Sequence, residues 1–207
     1  MLIAGPAYRI ETKRTVIRCW NPADAPLFKA SIDENIAHLK PFMPWAYNEP
    51  EEIDHKVERL RQFRGRFDMG QDFIYAVFNP AETTVLGGTG LHIRGGSDMR
   101  EIGYWIHKDY TNQGLATEVS AALVKVAFEI DKIRRVEIHC HPQNHQSAAV
   151  PRKLGFHHEA TLHARVYLPE FGFSDSMIWS LFNEDYPTSP SSKAEIAAYD
   201  AMGRKIL

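Results

Sequence analysis

Cysteine is scarce in this sequence. Its 207 residues include two, Cys19 and Cys140, with no C-x-x-C spacing. A disulfide framework or a structural zinc site needs more thiols at closer spacing, and two isolated ones suit a reducing compartment. Charge of one sign is lacking too. The 24 Lys and Arg against 26 Asp and Glu leave a formal net charge of −2. A nucleic-acid surface normally needs a basic stripe. Arg59, Arg61, Arg64 and Arg66 do cluster, but Glu58 and Asp68 sit among them, so they read as a solvated helix face. No apolar run approaches the ~18 residues that span a bilayer. The opening MLIAGPAYRIETKR has too short an apolar segment for a signal peptide. There is no internal repeat and no G-x-x-x-x-G-K-[ST] loop. These absences predict a cytoplasmic protein without membrane or nucleic-acid partners.

What is present suits one globular core. Hydrophobic residues make up 44% and charged residues 24%, ordinary values for such a chain. TVIRCW (15–20) alternates like a strand, and Asp24 is placed to cap a helix running to about Leu39. KPFMPWAYNEP (40–50) holds three prolines and three aromatics, which excludes regular helix. A charged helix is predicted over 50–67. Strands are predicted at 72–78, 85–94 and from Met99 to Ile106. Leu115, Val119, Ala122, Leu123, Val126, Ala127 and Ile130 form one apolar stripe at helical period over 112–130. A strand at 134–141 and a short helix over 144–156 follow, the latter stopped by Gly155 in a left-handed cap position. Two last strands are expected near 158–168 and 175–183. Residues 1–186 thus read as one domain of mixed α/β (α+β) layer architecture. Residues 187–207 read as a linker, YPTSPSS, and a short helix whose Ile196, Tyr199, Met202 and Ile206 would dock on the domain or on a second subunit.

The segment EIGYWIHKDYTNQGLATE (101–118) carries the first chemical signal. A strand runs into a polar turn, and a helix opens at Gln113-Gly114-Leu115-Ala116-Thr117. Gly114 permits a tight turn, and Ala116 is small enough to leave the helix end open. Free N–H groups and the positive end of the helix dipole suit a phosphate. An ordinary helix start containing glycine is an equal reading of this stretch alone.

The second signal comes from Asn144-x-x-Ser147 followed by Lys153-Leu154-Gly155-Phe156. G-x-A at a helix start, then N-x-x-S and K-L-G-F further on, resembles the GNAT acetyltransferase superfamily, and EIGYW its RimJ/RimL-like branch. That branch acetylates protein N-termini, ribosomal proteins among them. The resemblance covers roughly residues 10–184. It implies a GNAT-like fold, a central, mostly antiparallel twisted sheet flanked by helices. It also implies acetyl-CoA as cosubstrate and no metal. The family motif Q/R-x-x-G-x-G/A falls on Thr111 to Ala116. Gly114 and Ala116 match; Thr111 departs and offers no charge. The resemblance places the pyrophosphate on the backbone around Gln113, Gly114, Leu115, Ala116 and Thr117. It places the pantothenate arm in a gap beside the preceding strand, with Trp105, Ile106 and His107 supplying backbone partners and Gly103 easing a bulge.

The resemblance also implies individual roles. Asn144 would hydrogen-bond the cofactor arm, although Asn is also a good helix N-cap. Ser147 would protonate the departing thiolate, and Pro151 threatens a clash with the Ser147 carbonyl four residues back. Glu101 would be the general base, or else an exposed strand-end carboxylate. The acceptor channel would involve the loop holding Phe42, Trp45 and Tyr47, with His157, His158 or His163 as an auxiliary base. His139 and His141 share a strand face, but no third ligand has metal-site spacing. The expected reaction is acetyl transfer to a primary amine, most simply a protein or peptide N-terminus, by direct attack in a ternary complex. Acetylation of an antibiotic, polyamine or amino-acid-like metabolite is an alternative, as is a non-catalytic acyl-CoA sensor. Homodimers are common in the family.

Overall fold

The computed structural model describes residues 6–207; the apolar opening at 1–5 lies outside the described residues. Nine strands form one sheet: β1 (Arg9–Glu11), β2 (Val16–Cys19), β3 (Phe73–Phe78), β4 (Val85–His92), β5 (Met99–Ile106), β6 (Arg135–Cys140), β7 (His157–Leu168), β8 (Gly172–Phe182) and β9 (Ala197–Tyr199). Their spatial order is β7-β8-β6-β5-β4-β3-β2-β1-β9. Every neighbouring pair is antiparallel except β5 with β6. Four helices flank the sheet: α1 (Ala25–Leu39), α2 (Ile53–Asp68), α3 (Leu115–Glu129) and α4 (His145–Leu154). The mixed α/β layer fold is as the sequence predicts. Among the described residues no helix is long and apolar enough to cross a membrane.

The strand β3, FIYAVF, shows why an unbroken apolar run is needed at the centre. Tyr75 and Val77 face one core with the α3 stripe, including Leu123 and Val126. Ala76 and Phe78 face the other core with Phe28 and Ile32 of α1 and Leu60 of α2. Successive strand residues point to opposite faces, so a strand covered on both sides is apolar throughout. Each large side chain buried this way contributes about 1.5–3 kcal/mol.

The parallel pair β5–β6 is short. Met99, Arg100 and Glu101 pair with Arg135, Val136 and Glu137, and the ladder stops there. Beyond it the two strands part and leave a gap along Ile102–Ile106. The expected bulge at Gly103 does not form: β4 and β5 pair in unbroken register from Gly87↔Ile106 to His92↔Glu101. The divergence of β6 alone opens the gap.

Two local expectations are corrected. Asp24 does not cap α1 with its side chain. Its carboxylate instead takes both Arg18 guanidinium nitrogens at 2.8 Å and the Asn21 N–H at 2.8 Å. Asn21 is the capping residue, for the tight turn Pro22–Asp24 that runs straight into α1. The predicted C-terminal helix is absent as well. Short turns at Tyr186–Thr188 and Pro190–Lys193 lead into β9, which pairs with β1 and buries Ala198 completely. Asp200 accepts the N–H groups of Met202 and Arg204, both at 2.9 Å, which favours a turn over helix. The tail therefore completes the sheet of its own domain.

Candidate active site

A cleft of about 760 Å³ opens where β5, α3, α4 and the loop after α1 meet. Its floor at one end is the turn between β5 and α3. Asn112 and Gly114 both adopt left-handed backbone, at φ 59° and 79°. Gly114 does so without steric cost, and Asn tolerates it better than most residues. Such reversals turn successive N–H groups inward as an anion-binding concavity, continued by the unpaired first-turn amides of α3. Arg14, in the β1–β2 turn, braces this loop from behind. Its Nη1 donates to the Gln113 carbonyl at 2.9 Å, and its Nη2 lies 2.6 Å from Glu118 in the first turn of α3. The Thr12 hydroxyl donates to the same carboxylate at 2.6 Å.

Strand parity decides which β5 residues face the gap. The N–H and C=O of one residue point to one neighbouring strand and those of the next residue to the other. The His107 N–H donates to the Leu86 carbonyl at 2.8 Å, and the Gly103 carbonyl accepts from the Thr89 hydroxyl at 2.8 Å. Odd-numbered residues here are thus engaged with β4. The backbone of Tyr104 and Ile106 faces the gap. Of the three expected backbone partners, Ile106 alone meets the condition. Trp105 lines the cleft, while its side chain packs with the α1–α2 core. His107 is buried behind the turn, its carbonyl taken by the Tyr110 N–H and its Nε2 lying 3.4 Å from Glu34.

Gly114, Leu115, Ala116, Thr117, Asn144 and Ser147 all line the cleft. Gln113 does not; its side-chain amide folds back to the Asp109 carbonyl at 3.0 Å. Asn144 is the N-cap of α4, and its Oδ1 accepts the Ser147 N–H at 3.0 Å. The cap leaves its amide N–H groups without a partner among the described residues. Lys153 also borders the cleft, from the last turn of α4.

Pro151 does not break α4. Because it has no N–H, the Ser147 carbonyl loses its usual helical donor. The Tyr104 hydroxyl lies 3.1 Å from that carbonyl and 3.0 Å from Ser147 Oγ. A hydroxyl has one hydrogen to give. When Tyr104 donates to the carbonyl, Ser147 Oγ–H is left to donate to Tyr104. Burial pushes the Tyr104 phenol up, opposed by its bond to Ser147, so it stays a protonated donor. Neither Tyr104 nor Arg14 stands out in sequence, because each acts on a partner distant along the chain.

Glu101 lies outside the cleft on the opposite face of the sheet from Ser147. Ile102 and Ile106 belong to the α3 core, whereas Trp105, which shares the odd-numbered face with Glu101, packs with α1 and α2. Glu101 is buried. It accepts from Arg94 Nη1 at 2.6 Å, and its other oxygen is 3.6 Å from His139 Nδ1. His139 Nε2 in turn is 2.7 Å from Glu137, a bond that holds the Glu137 carboxyl below its ordinary range. The histidines proposed from sequence as auxiliary bases do not approach the cleft. His157, His158 and His163 lie on the exposed edge strand β7, where His163 pairs with Asp175 at 3.0 Å. His38 and His145 line the cleft, and His141 packs beside it against the cleft residue Phe42. The His141 ring stacks on Phe171 of the β7–β8 turn at 4.8 Å, and Phe42 stacks on Phe171 at 5.9 Å. Burial pushes His141 below its ordinary value. Trp45 packs into the α1–α2 core rather than on the cleft.

The arrangement combines an anion cradle, an unpaired strand edge and a serine at the facing helix. Residues 14–157 match the acetyltransferase (GNAT) domain family. The chain belongs to that family. It is 25% identical to the [ribosomal protein uS5]-alanine N-acetyltransferase of Escherichia coli over 187 residues, 87% of this chain and 94% of that one. It is also 25% identical to the probable N-acetyltransferase YjcK of Bacillus subtilis, over 64% of this chain and 74% of that protein. In fold it is similar to the ribosomal-protein-S5-alanine acetyltransferase from Vibrio fischeri, with a TM-score of 0.76, 20% identity, and coverage of 86% of this chain and 98% of that one. RimL, a ribosomal L7/L12 α-N-protein acetyltransferase solved with coenzyme A, superposes equally well at 0.76 and 20% identity, covering 83% and 95%. As a GNAT acetyltransferase the chain is an acyltransferase using acetyl-CoA, and the cleft has the chemistry for that cosubstrate: backbone amides for the pyrophosphate and free strand-edge groups for the amide-containing arm.

Proposed function

We propose that this acetyltransferase modifies the α-amine of a protein or peptide N-terminus, with the acceptor attacking acetyl-CoA directly in a ternary complex. The observation that carries the reading is the gap between β5 and β6. It joins the anion cradle and Ser147 on one side of the sheet to Glu101 on the other. Cosubstrate lying in the gap would present its thioester to an acceptor entering from the α1–α2 face, and its sulfur to α4. In this reading Gly114 to Thr117 and the Gln113 N–H hold pyrophosphate. Ile106 and Tyr104 pair with the arm, and the free Asn144 amide reaches it. Ser147, its hydroxyl set by Tyr104, protonates the thiolate as it leaves. Glu101 holds the water that draws the proton from the amine.

The relatives support an N-terminal acceptor, since the E. coli protein is named for an alanine of a ribosomal protein. Proton chemistry points the same way. An α-amino group has a pKa near ~7.8 and a lysine near ~10.4, so preparing a lysine costs about 3.5 kcal/mol more. A site with a water-mediated base suits the easier amine. A cytoplasmic location and a homodimer belong to the same proposal. Titration calorimetry with acetyl-CoA, followed by mass analysis of a peptide panel beginning with Ala and Ser, tests it. Transfer confined to lysine side chains or small amines would overturn the acceptor assignment. Light scattering reads the oligomer.

A further inference from the structure

On the α1–α2 face, β4 and β5 present three glycines, Gly88, Gly90 and Gly103, and two rings rest on them. A Cβ at Gly88 would come within 2.5 Å of Trp105 Nε1. A Cβ at Gly90 would meet His92 Nε2 at 2.6 Å, and one at Gly103 would meet it at 3.2 Å. The missing side chains let the His92 imidazole lie flat across the strand that borders the gap. Its Nδ1 is 2.9 Å from Asp72 Oδ1, just ahead of β3. A carboxylate at Nδ1 favours the tautomer with its proton there and leaves the lone pair on Nε2. Nε2 has no hydrogen-bond partner among the described residues, and it is not one of the fully buried unpaired atoms. It is therefore oriented, without a partner among the described residues, and not fully buried.

Directly across the ladder from His92 is Glu101. Opposed residues on one face of an antiparallel pair have Cβ atoms about 4.5–5.5 Å apart, so the two side chains leave the sheet side by side on the same face. Glu101 is already occupied by Arg94 at 2.6 Å, with His139 close to its second oxygen. Asp72 binds the imidazole directly, and across the ladder Glu101 carries its own charged or titratable partners, Arg94 and His139. An imidazole is the side chain best suited to take up and release a proton near neutral pH.

We propose that His92, held by Asp72, is the proton acceptor for the acceptor amine, acting through the water that Glu101 orients. This rests on the acetyl-transfer reading of the site. The acceptor arrives as R–NH3+. One proton passes through the water to His92 Nε2. The freed nitrogen lone pair forms the C–N bond at the thioester carbonyl, and the C–S bond breaks with its electron pair on sulfur. The second nitrogen proton reaches the thiolate by way of the Ser147 hydroxyl, giving the amide and the free thiol. The imidazolium then returns its proton to solvent. Asp72 is a positioning residue.

The test uses the full chain, with His92→Gln and Asp72→Asn, and two acceptors. One is an α-amine peptide; the other is the matching N-terminal hydrazide, a weakly basic amine already neutral at pH 7. His92→Gln is expected to lower kcat on the peptide by about 10²-fold, the low end of general-base effects, and to leave acetyl-CoA affinity by calorimetry within twofold. The loss should shrink to a few-fold on the hydrazide, because no proton has to leave first. Asp72→Asn should show the same pattern more weakly. Equal losses on both acceptors would mean the ring merely packs on the glycines, and would overturn the inference. So would a peptide kcat within threefold of wild type. A wild-type protein that acetylates neither acceptor would overturn the acetyl-transfer reading as well, so the two failures are separable.

Discussion

The Tyr104 hydroxyl sits 3.0 Å from Ser147 Oγ and 3.1 Å from the Ser147 carbonyl that Pro151 leaves without a helical donor. A proline that should weaken α4 instead creates an opening for a residue from β5. The tyrosine satisfies a backbone group and sets the direction of a side-chain proton with the same oxygen.

This geometry separates stability from turnover. Tyr104→Phe leaves the Ser147 carbonyl unpaired, at a cost of about 1–3 kcal/mol. It should also lower kcat several-fold without changing acetyl-CoA affinity. Adding Pro151→Ala restores an N–H four residues on. The double variant should recover most of the stability in urea melts and none of the turnover. Recovery of both would show that Tyr104 acts only as a structural donor.

Gly114 is held at φ 79°, where a Cβ is strained whatever the space around it. Gly114→Ala should cost about 1–2 kcal/mol and weaken acetyl-CoA binding at least tenfold by calorimetry. Arg14→Ala relaxes the same loop through the Gln113 carbonyl. Its KM for acetyl-CoA should rise several-fold at unchanged kcat, while acetyl-pantetheine, which lacks the phosphates, should be used as well as by wild type.

Asp131 provides a pH test. Burial raises its carboxyl to about 6, against the opposing charge of Arg100, whose Nε is 3.8 Å away. The unfolded carboxyl titrates near ~3.9. Between these values the folded state binds more protons, so stability must fall as pH rises from about 4 to 6 and then level off. The change attributable to this group is about 2–3 kcal/mol. Asp131→Asn should flatten the unfolding free energy across that window in denaturant titrations. An unchanged slope would show that another group is responsible.

Strand β9 closes the free edge of β1, with Ala198 fully buried between them. Removing residues 194–207 should lower the melting temperature by several degrees and expose a pairing edge. Light scattering should then show association beyond the oligomer that the intact chain forms. A truncated protein as stable as the full chain would mean that β9 is an ornament of the sheet.

The sequence revealed the main elements through periodicity. The α3 stripe, the alternation around Arg135–Cys140 and the Gly155 cap all follow from local rules, and the cap is left-handed at φ 84°. The tail misled because its apolar spacing fits a helix, whereas the open edge of β1, made 190 residues earlier in the chain at Arg9–Glu11, recruits it as a strand. The Trp105 and His107 expectation failed for a similar reason. Which strand edge a residue faces depends on the parity of pairing with β4.

By itself the sequence determined the turn that can hold an anion, the helix behind it, and the Asn144 and Ser147 pair. These are matters of backbone freedom, capping and spacing over a few residues. Only the tertiary structure decided the partners: Tyr104 with Ser147, Arg14 with Gln113, and His92 with Asp72. Hydrogen bonds over long chain separations leave no periodic trace in sequence. They exist because helices, turns and strands packed on one sheet bring groups distant along the chain to about 3 Å of one another.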